Sequence, residues 1–255
     1  MALDFDGVIC NTVSEGLRSA WQVCREIRGE GGPNPPPEAG AVFVRLRPVL
    51  ESGWEFPALL LAILDGVPEA ALREGFQTTW RAAILAKHHL TPDTLAARFD
   101  AVRDRAIRAG LTDWLQDQRL YPGMADRLRD ILREGVQVFV LTTKEGRFAK
   151  TLLEMHGVTL PSAQVWGKEQ AQPKPDLLHA LRQGQAAEYA DIWFVEDRLK
   201  TLQSVEAQAG LSAVRLHLAT WGYLMPTDRE EAAADPRIVP LTLERFCQDF
   251  SAWIR

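Results

Sequence analysis

Three cysteines in 255 residues, Cys10, Cys24 and Cys247, are too few and too widely spaced for a disulfide framework or a zinc site of paired cysteines. That scarcity fits a reducing compartment, and a cytoplasmic location is the expectation. Positive charge is not in excess either, because 29 Lys and Arg face 34 Asp and Glu for a formal net charge of −5. The broad attraction that draws a chain to nucleic acid or to acidic lipid is therefore absent, and neither is expected as a partner. Long apolar runs are missing as well. The greasiest stretch, residues 56–64, is interrupted by Pro57 and is about half as long as a bilayer crossing needs. The opening MALDFDGVIC carries two acids where a secretory leader needs a basic start and a long apolar run, so no targeting segment is read there.

What is present is ample core-forming material. At 46% hydrophobic residues the chain can build one domain with an insertion or two modest domains. From about residue 122 onward, strand-like and helix-like segments alternate. The strand-like runs are VQVFVL (136–141), AQVW (163–166), DIWFV (191–195), SAVRLHL (212–218) and IVPL (238–241), with ALDF at the start of the chain. Between them lie MADRLRDILREG, GRFAKTLLEMHG, DLLHALRQG and LQSVEAQAG, helical patterns closed by glycines suited to a left-handed helix end. Such alternation predicts an α/β fold, an open parallel sheet covered on both faces, whose reactive crevice lies at the carboxyl ends of the strands.

Residues 14–118 read differently. Apart from a short AVFVRL run they are dominated by helical periodicity, as in FQTTWRAAILAKHHL and LAARFDAVRDRAIRAG. They form a helical insertion between the first strand and the rest of the sheet, giving expected domains of 1–13 with 119–255 and of 14–118. Within the insertion, GEGGPNPPPEAG (29–40) is too rich in proline and glycine for a helix interior and is expected as a surface loop. Trp21, Trp80 and Trp114 are expected in the core of the insertion, and the five histidines show no ligand-like arrangement. No internal repeat is present.

Four short segments end the strands or open the helices of the α/β part. DFDGV places Asp4 at the end of the first strand with Asp6 two residues on. LTTKE puts Thr142, then Thr143, immediately after VFVL, where a hydroxyl and backbone amides can hold a phosphate oxygen. QPKPD fixes Lys174 between two prolines before a helix, and VEDR ends a strand in the adjacent acids Glu196 and Asp197. Each segment alone has an ordinary explanation: a turn, a helix cap, a solvated lysine, acids complementing a helix dipole. Their joint occurrence, in this order and each after its expected element, has none.

The ordered set DFDGV, LTTKE, KPD and VEDR resembles the haloacid dehalogenase-like hydrolase superfamily. Within it the sequence is similar to the branch of phosphoglycolate phosphatases and β-phosphoglucomutases, in which a helical cap is inserted after the first motif. YPGMADRLRDIL and TWGY (220–223) are similar to the same branch. The resemblance covers residues 1–13 and 119–225, whereas the insertion matches only in position and helical character. It implies a Rossmann-like core with an α-helical cap, and a Mg²⁺-dependent phosphatase acting on a small phosphorylated metabolite. In that scheme Asp4 attacks phosphorus to form an aspartyl-phosphate, and Asp6 protonates the leaving alcohol and later activates water. The resemblance further implies that Mg²⁺ is held by Asp4, the backbone carbonyl of Asp6, Asp197 and, through water, Glu196, and that Thr142, Thr143 and Lys174 bind phosphoryl oxygens. Members of the branch usually carry a further aspartate four residues after that of the last motif. Here that position is Thr201, and the pair Glu196 and Asp197 resembles the adjacent-acid form of the motif.

Two alternatives stay open at the level of sequence: a phosphomutase, which shares every core motif, and a catalytically weak regulatory or binding protein on the same fold. A dehalogenase is disfavoured, since the members that do that chemistry lack the second aspartate. In the insertion, VFVRLRPVLESGWEF collects Arg45, Arg47 and Trp54, and arginine suits bidentate contact with a second anionic group on a substrate, so these three are the candidate specificity residues, beside the plainer reading that they are solvated or paired within the insertion. Oligomeric state is not legible.

Overall fold

A computed structural model describes residues 1–29, 31–184 and 191–254. Contacts divide the chain into two compact units, Met1–Asn11 with Arg119–Arg255, and Thr12–Gln118.

The first unit is built on a sheet of six parallel strands. These are β1 (Ala2–Leu3), β4 (Phe139–Leu141), β5 (Val165–Trp166), β6 (Ile192–Glu196), β7 (Val214–Ala219) and β8 (Ile238–Leu241), in the order β5-β4-β1-β6-β7-β8. Two more short strands, β2 (Cys10–Asn11) and β3 (Arg119–Leu120), form a separate antiparallel pair where the chain leaves this unit and re-enters it. Strand β1 is central, with Ala2 and Leu3 opposite Phe139 and Val140 on one side and Phe194 and Val195 on the other. Both of its residues are fully buried, as a strand covered on two faces requires.

The period of two sorts the flanking strands. Phe139, Leu141, Ile192, Phe194, Leu216 and Leu218 share one apolar face with Leu177, Leu178, Leu202 and Val205. Those last four come from α9 (Lys174–Gln183) and α10 (Leu199–Glu206). On the opposite face Trp193 stacks on His217 at 5.2 Å, and Phe250 and Trp253 meet Trp193 at 5.3 and 5.6 Å. The remaining helices of the unit are α7 (Met124–Arg133), α8 (Gly146–Met155), α11 (Pro226–Ala234) and α12 (Leu243–Phe246).

The second unit holds α1 (Val13–Arg28), α2 (Pro37–Leu46), α3 (Glu55–Leu64), α4 (Glu69–Gly75), α5 (Arg81–Lys87) and α6 (Pro92–Gln116), with a π-turn over Phe76–Trp80 and a break in α6 at Gly110. Its core runs through Phe43, Phe56 and Phe99, with ring centroids 6.0 and 5.5 Å apart. A Cβ at Gly16 would lie 2.2 Å from the Phe56 ring, so glycine is what lets α1 come this close to α3. Trp21 and Trp114 are buried in this unit and Trp80 is half-buried.

Several elements differ from the sequence expectation. AVFVRL belongs to α2 rather than standing apart from the helical pattern. Ala39, Gly40, Phe43 and Leu46 are the buried positions of this helix, a spacing of three to four that one helix face satisfies and a strand does not. The same helix claims the last four residues of the expected 29–40 loop, because Pro37 occupies the first helical turn, where a missing N–H costs nothing. ALDF contributes only two strand residues, and Ala163 falls in a short 3₁₀ turn before β5. Of the closing glycines, Gly135 and Gly157 take positive φ of 80° and 72°, whereas Gly184 ends α9 at φ −112°.

Candidate active site

The parallel sheet delivers β1, β4 and β6 side by side, so the residues just past their carboxyl ends converge. Asp4 follows β1 and continues the ladder, its N–H donating to Val195 O at 3.0 Å. Glu196 is the last residue of β6 and Asp197 the next. Carboxylate oxygens of Asp4, Glu196 and Asp197 all lie within 4.8 Å of one another, and all three residues are buried. Three acids gathered out of water repel one another strongly unless positive charge is supplied.

Lys174 supplies part of it. As the first residue of α9 it reaches back to the sheet, and its Nζ donates to Asp4 Oδ1 and to Glu196 Oε2, each at 2.5 Å. Burial alone would lower the affinity of its ammonium for the proton, but the carboxylates of Asp4 and Glu196 outweigh burial and push it above the ordinary lysine value. Burial raises the carboxyl of Asp4, Lys174 opposes that rise and Glu196 adds to it, leaving the group pushed up to about 7. The second oxygen of Glu196 accepts the Arg198 N–H at 3.1 Å.

Asp197 is held by close backbone packing. Its Oδ2 accepts the Tyr223 N–H at 2.7 Å. A Cβ at Gly222 would fall 2.3 Å from Asp197 Cβ and 2.6 Å from Gly7 O, and one at Gly7 would fall 1.9 Å from Asp197 Oδ2. Gly7 also has φ +97°, a conformation that glycine adopts without strain. The glycines of DFDGV and TWGY are thus the space in which the third acid sits.

Asp6 lies outside the three-acid cluster. Its Oδ1 is buried with no hydrogen-bond partner among the described residues, and the Lys144 ammonium stands 3.7 Å away. Lys144, whose side chain is only 8% exposed, is a site residue that the sequence reading did not single out. The signal was its place in LTTKE, two residues past Thr142. Thr142 is buried, and its Oγ1 accepts the Lys144 N–H at 3.1 Å, which leaves the hydroxyl hydrogen to donate outward. Thr143 beside it is exposed.

Arg45, Arg47 and Trp54 lie in the helical unit, where both guanidiniums have protein partners. Arg45 makes a bidentate contact with Glu69, at 3.1 Å from Nε to Oε1 and 2.7 Å from Nη2 to Oε2. Arg47 is buried, lies 4.8 Å from the Phe56 ring centre and donates to Leu50 O at 3.4 Å. Trp54 is half-buried in the position preceding α3.

An open parallel sheet with a lysine and three acids at the carboxyl ends of its central strands defines an α/β enzyme of the Rossmann-like type. The family model for haloacid dehalogenase-like hydrolases matches residues 1–207, and the chain belongs to that family. Solved structures agree at the level of fold. A haloacid dehalogenase-like family hydrolase from Streptococcus pneumoniae matches with a TM-score of 0.52 at 18% identity, over 94% of this chain and 91% of that one. A predicted phosphoglycolate phosphatase from Haemophilus somnus matches at 0.55 and 16%, over 90% and 89%. A protein assigned as a β-phosphoglucomutase from Thermotoga maritima matches at 0.52 and 14%, over 96% and 95%. The comparison with curated proteins finds no match. No helix among the described residues is long and apolar enough to cross a membrane.

Proposed function

We propose that the protein is a Mg²⁺-dependent phosphatase that hydrolyses a small phosphorylated metabolite through an aspartyl-phosphate. The observation that carries this reading is the convergence of Asp4, Glu196 and Asp197 on one point with Lys174 bridging the first two. Three carboxylates are hard oxygen donors of the kind magnesium selects, and their mutual repulsion is what a divalent cation relieves, so the donor set fits the metal. Asp4, Glu196 and Asp197, with the backbone carbonyl of Asp6, would hold it. When bound, the ion supplies positive charge against the phosphoryl oxygens and the nucleophile.

The chain's own groups then divide the work. Asp4 supplies the carboxylate oxygen that bonds to phosphorus as the ester oxygen leaves. Asp6 gives its proton to that departing oxygen, and the resulting carboxylate takes a proton from the water that next attacks phosphorus, releasing phosphate and restoring Asp4. Lys174 and Thr142, with Thr143, donate to the phosphoryl oxygens. Lys174 also holds the Asp4 carboxylate in place through the 2.5 Å contact. Discrimination between leaving groups falls to the inserted helical unit acting as a cap, since the core residues address only the phosphoryl group.

Turnover of an aryl phosphate with and without Mg²⁺, followed by a panel of phosphorylated metabolites, tests the reading. Metal-dependent release of inorganic phosphate supports it. A rearranged sugar phosphate in place of free phosphate would assign a mutase, and no turnover of any member would indicate a binding protein.

A further inference from the structure

Thr142 and Lys174 stand on different loops, one leaving β4 and the other entering α9, yet the proposed function needs both on one phosphoryl group. We infer that Glu169 is a positioning residue that ties these two loops together. The inference rests on the phosphatase reading for its consequence and on the geometry for its existence.

The β4–β5 ladder does not stop at the strand ends. Beyond Leu141 and Trp166 it continues with Thr142 N–H to Trp166 O at 2.9 Å and Lys168 N–H to Lys144 O at 2.9 Å. There α8 begins with Gly146, and the residue before it, Glu145, makes no side-chain cap. The first amide of α8 is instead taken by the neighbouring loop: Glu169 accepts the Gly146 N–H at 3.1 Å through Oε1 and 3.3 Å through Oε2. Glu145 returns the gesture, its Oε1 lying 3.2 Å from Lys168 Nζ. A carboxylate is well matched to the exposed N–H and positive end of a helix, so this is a cap supplied in trans by the neighbouring loop.

The backbones are shaped for it. A Cβ on Gly167 would lie 2.2 Å from Gly146 N, 2.3 Å from Glu169 Oε2 and 2.6 Å from Lys144 O, so only glycine fits at that crossing. Ala171, which closes the turn over Lys168–Gln170, is held at φ +50°, a left-handed conformation that costs a non-glycine residue energy and persists only where its surroundings fix it. From Gly146 the tie reaches Thr142 within four residues, and from Glu169 it reaches Lys174 within five. Displacing one loop then displaces the other, and the spacing of the two phosphoryl-binding groups is set by the tie.

The test uses the full chain with Glu169→Ala and Glu169→Gln. Wild-type, Ala and Gln proteins are compared for aryl phosphate hydrolysis with Mg²⁺, for inhibition by inorganic phosphate, and for amide exchange in segments 142–146 and 168–174. The tie predicts that Glu169→Ala raises KM and the phosphate inhibition constant together by about three- to tenfold, the range of one ordinary hydrogen bond, with kcat changed much less. Glu169→Gln keeps an acceptor oxygen and recovers most of the loss. Exchange should speed up in both segments although only one carries the change. Faster exchange confined to 168–174, or a KM and inhibition constant that do not move, would overturn the inference. Loosening of both segments in Glu169→Ala, with a wild type that neither hydrolyses the aryl phosphate nor is inhibited by phosphate, would keep the tie and refute the phosphatase reading.

Discussion

Lys174 Nζ donates to Asp4 Oδ1 at 2.5 Å across 170 positions of sequence, and through this contact a helix start neutralises a strand end. Removing the lysine should leave Asp4 and Glu196 buried without their shared cation. Breaking one partner of a buried pair costs about 3–5 kcal/mol, so Lys174→Met is expected to melt well below wild type. Mg²⁺ should restore more stability to this variant than to wild type, because the ion takes over the charge the lysine carried. Melting curves of both proteins with and without Mg²⁺ measure it, and an equal metal effect in the two would show that Lys174 and the cation do not compensate the same acids.

Asp197 depends on two glycines for its place, which makes Gly222 a probe of the proposed metal site from outside it. Gly222→Ala puts a methyl 2.3 Å from Asp197 Cβ and forces the acid to shift. The expected result is a loss of about 1–3 kcal/mol in stability, together with a smaller rise in melting temperature on adding Mg²⁺. Asp197→Ala should abolish most of that rise. A Gly222→Ala protein that is destabilised yet keeps the full Mg²⁺ effect would mean that Asp197 is not a ligand.

Asp6 carries a buried oxygen without a hydrogen-bond partner among the described residues and faces Lys144 rather than the acid cluster. That separation suits a proton carrier better than a metal carboxylate. Asp6→Ala should lower kcat for an alkyl phosphate by about 10²–10⁴-fold while Mg²⁺ binding persists. An aryl phosphate, whose leaving group needs less protonation, should lose less. Steady-state kinetics on the two substrates check the difference, and equal losses would remove Asp6 from the role of acid.

His217 gives the fold a pH dependence of its own. Burial first, and then the positive charges of Arg215 and Arg245, push the imidazole down to about 4, against about 6.5 in the unfolded chain. Above pH 6.5 the ring is neutral in both states and costs nothing. As pH falls toward 4 only the unfolded chain takes up the proton, so stability declines through that window by up to about 3 kcal/mol and levels off below it. His217→Phe keeps the stack on Trp193 without a titrating group, and its melting temperature should fall less than that of wild type between pH 7 and 4. Parallel acid dependence in the two proteins would place the titration elsewhere.

The parts of the fold and site that were legible in sequence are those written locally. Asp4, Lys174 and the Glu196–Asp197 pair announce themselves because each adjoins an apolar strand or a proline-marked helix start, and the parallel sheet then brings them together. AVFVRL misled because its β-branched and aromatic residues suit a strand, while the burial of Phe43 and Leu46 within it, with Ala39 and Gly40 one turn earlier in α2, follows a helix face. The pairing of β2 with β3 could not be read from runs of two residues separated by the whole insertion. Nor could the contacts of Lys144 with Asp6, Tyr223 N–H with Asp197 or Glu169 with Gly146, each of which depends on two loops crossing. The arginines of the insertion carried the right chemistry for an anion, but Glu69 and Phe56 are packed against them.

The central claim is that Asp4 becomes covalently phosphorylated. Quenching the enzyme with borohydride during turnover of an aryl phosphate and Mg²⁺ reduces an acyl phosphate to the alcohol, which peptide mass spectrometry locates. The account predicts homoserine at position 4, dependent on substrate, with neither label nor turnover in Asp4→Asn. Full turnover in Asp4→Asn, or a label on any other carboxylate, would contradict it.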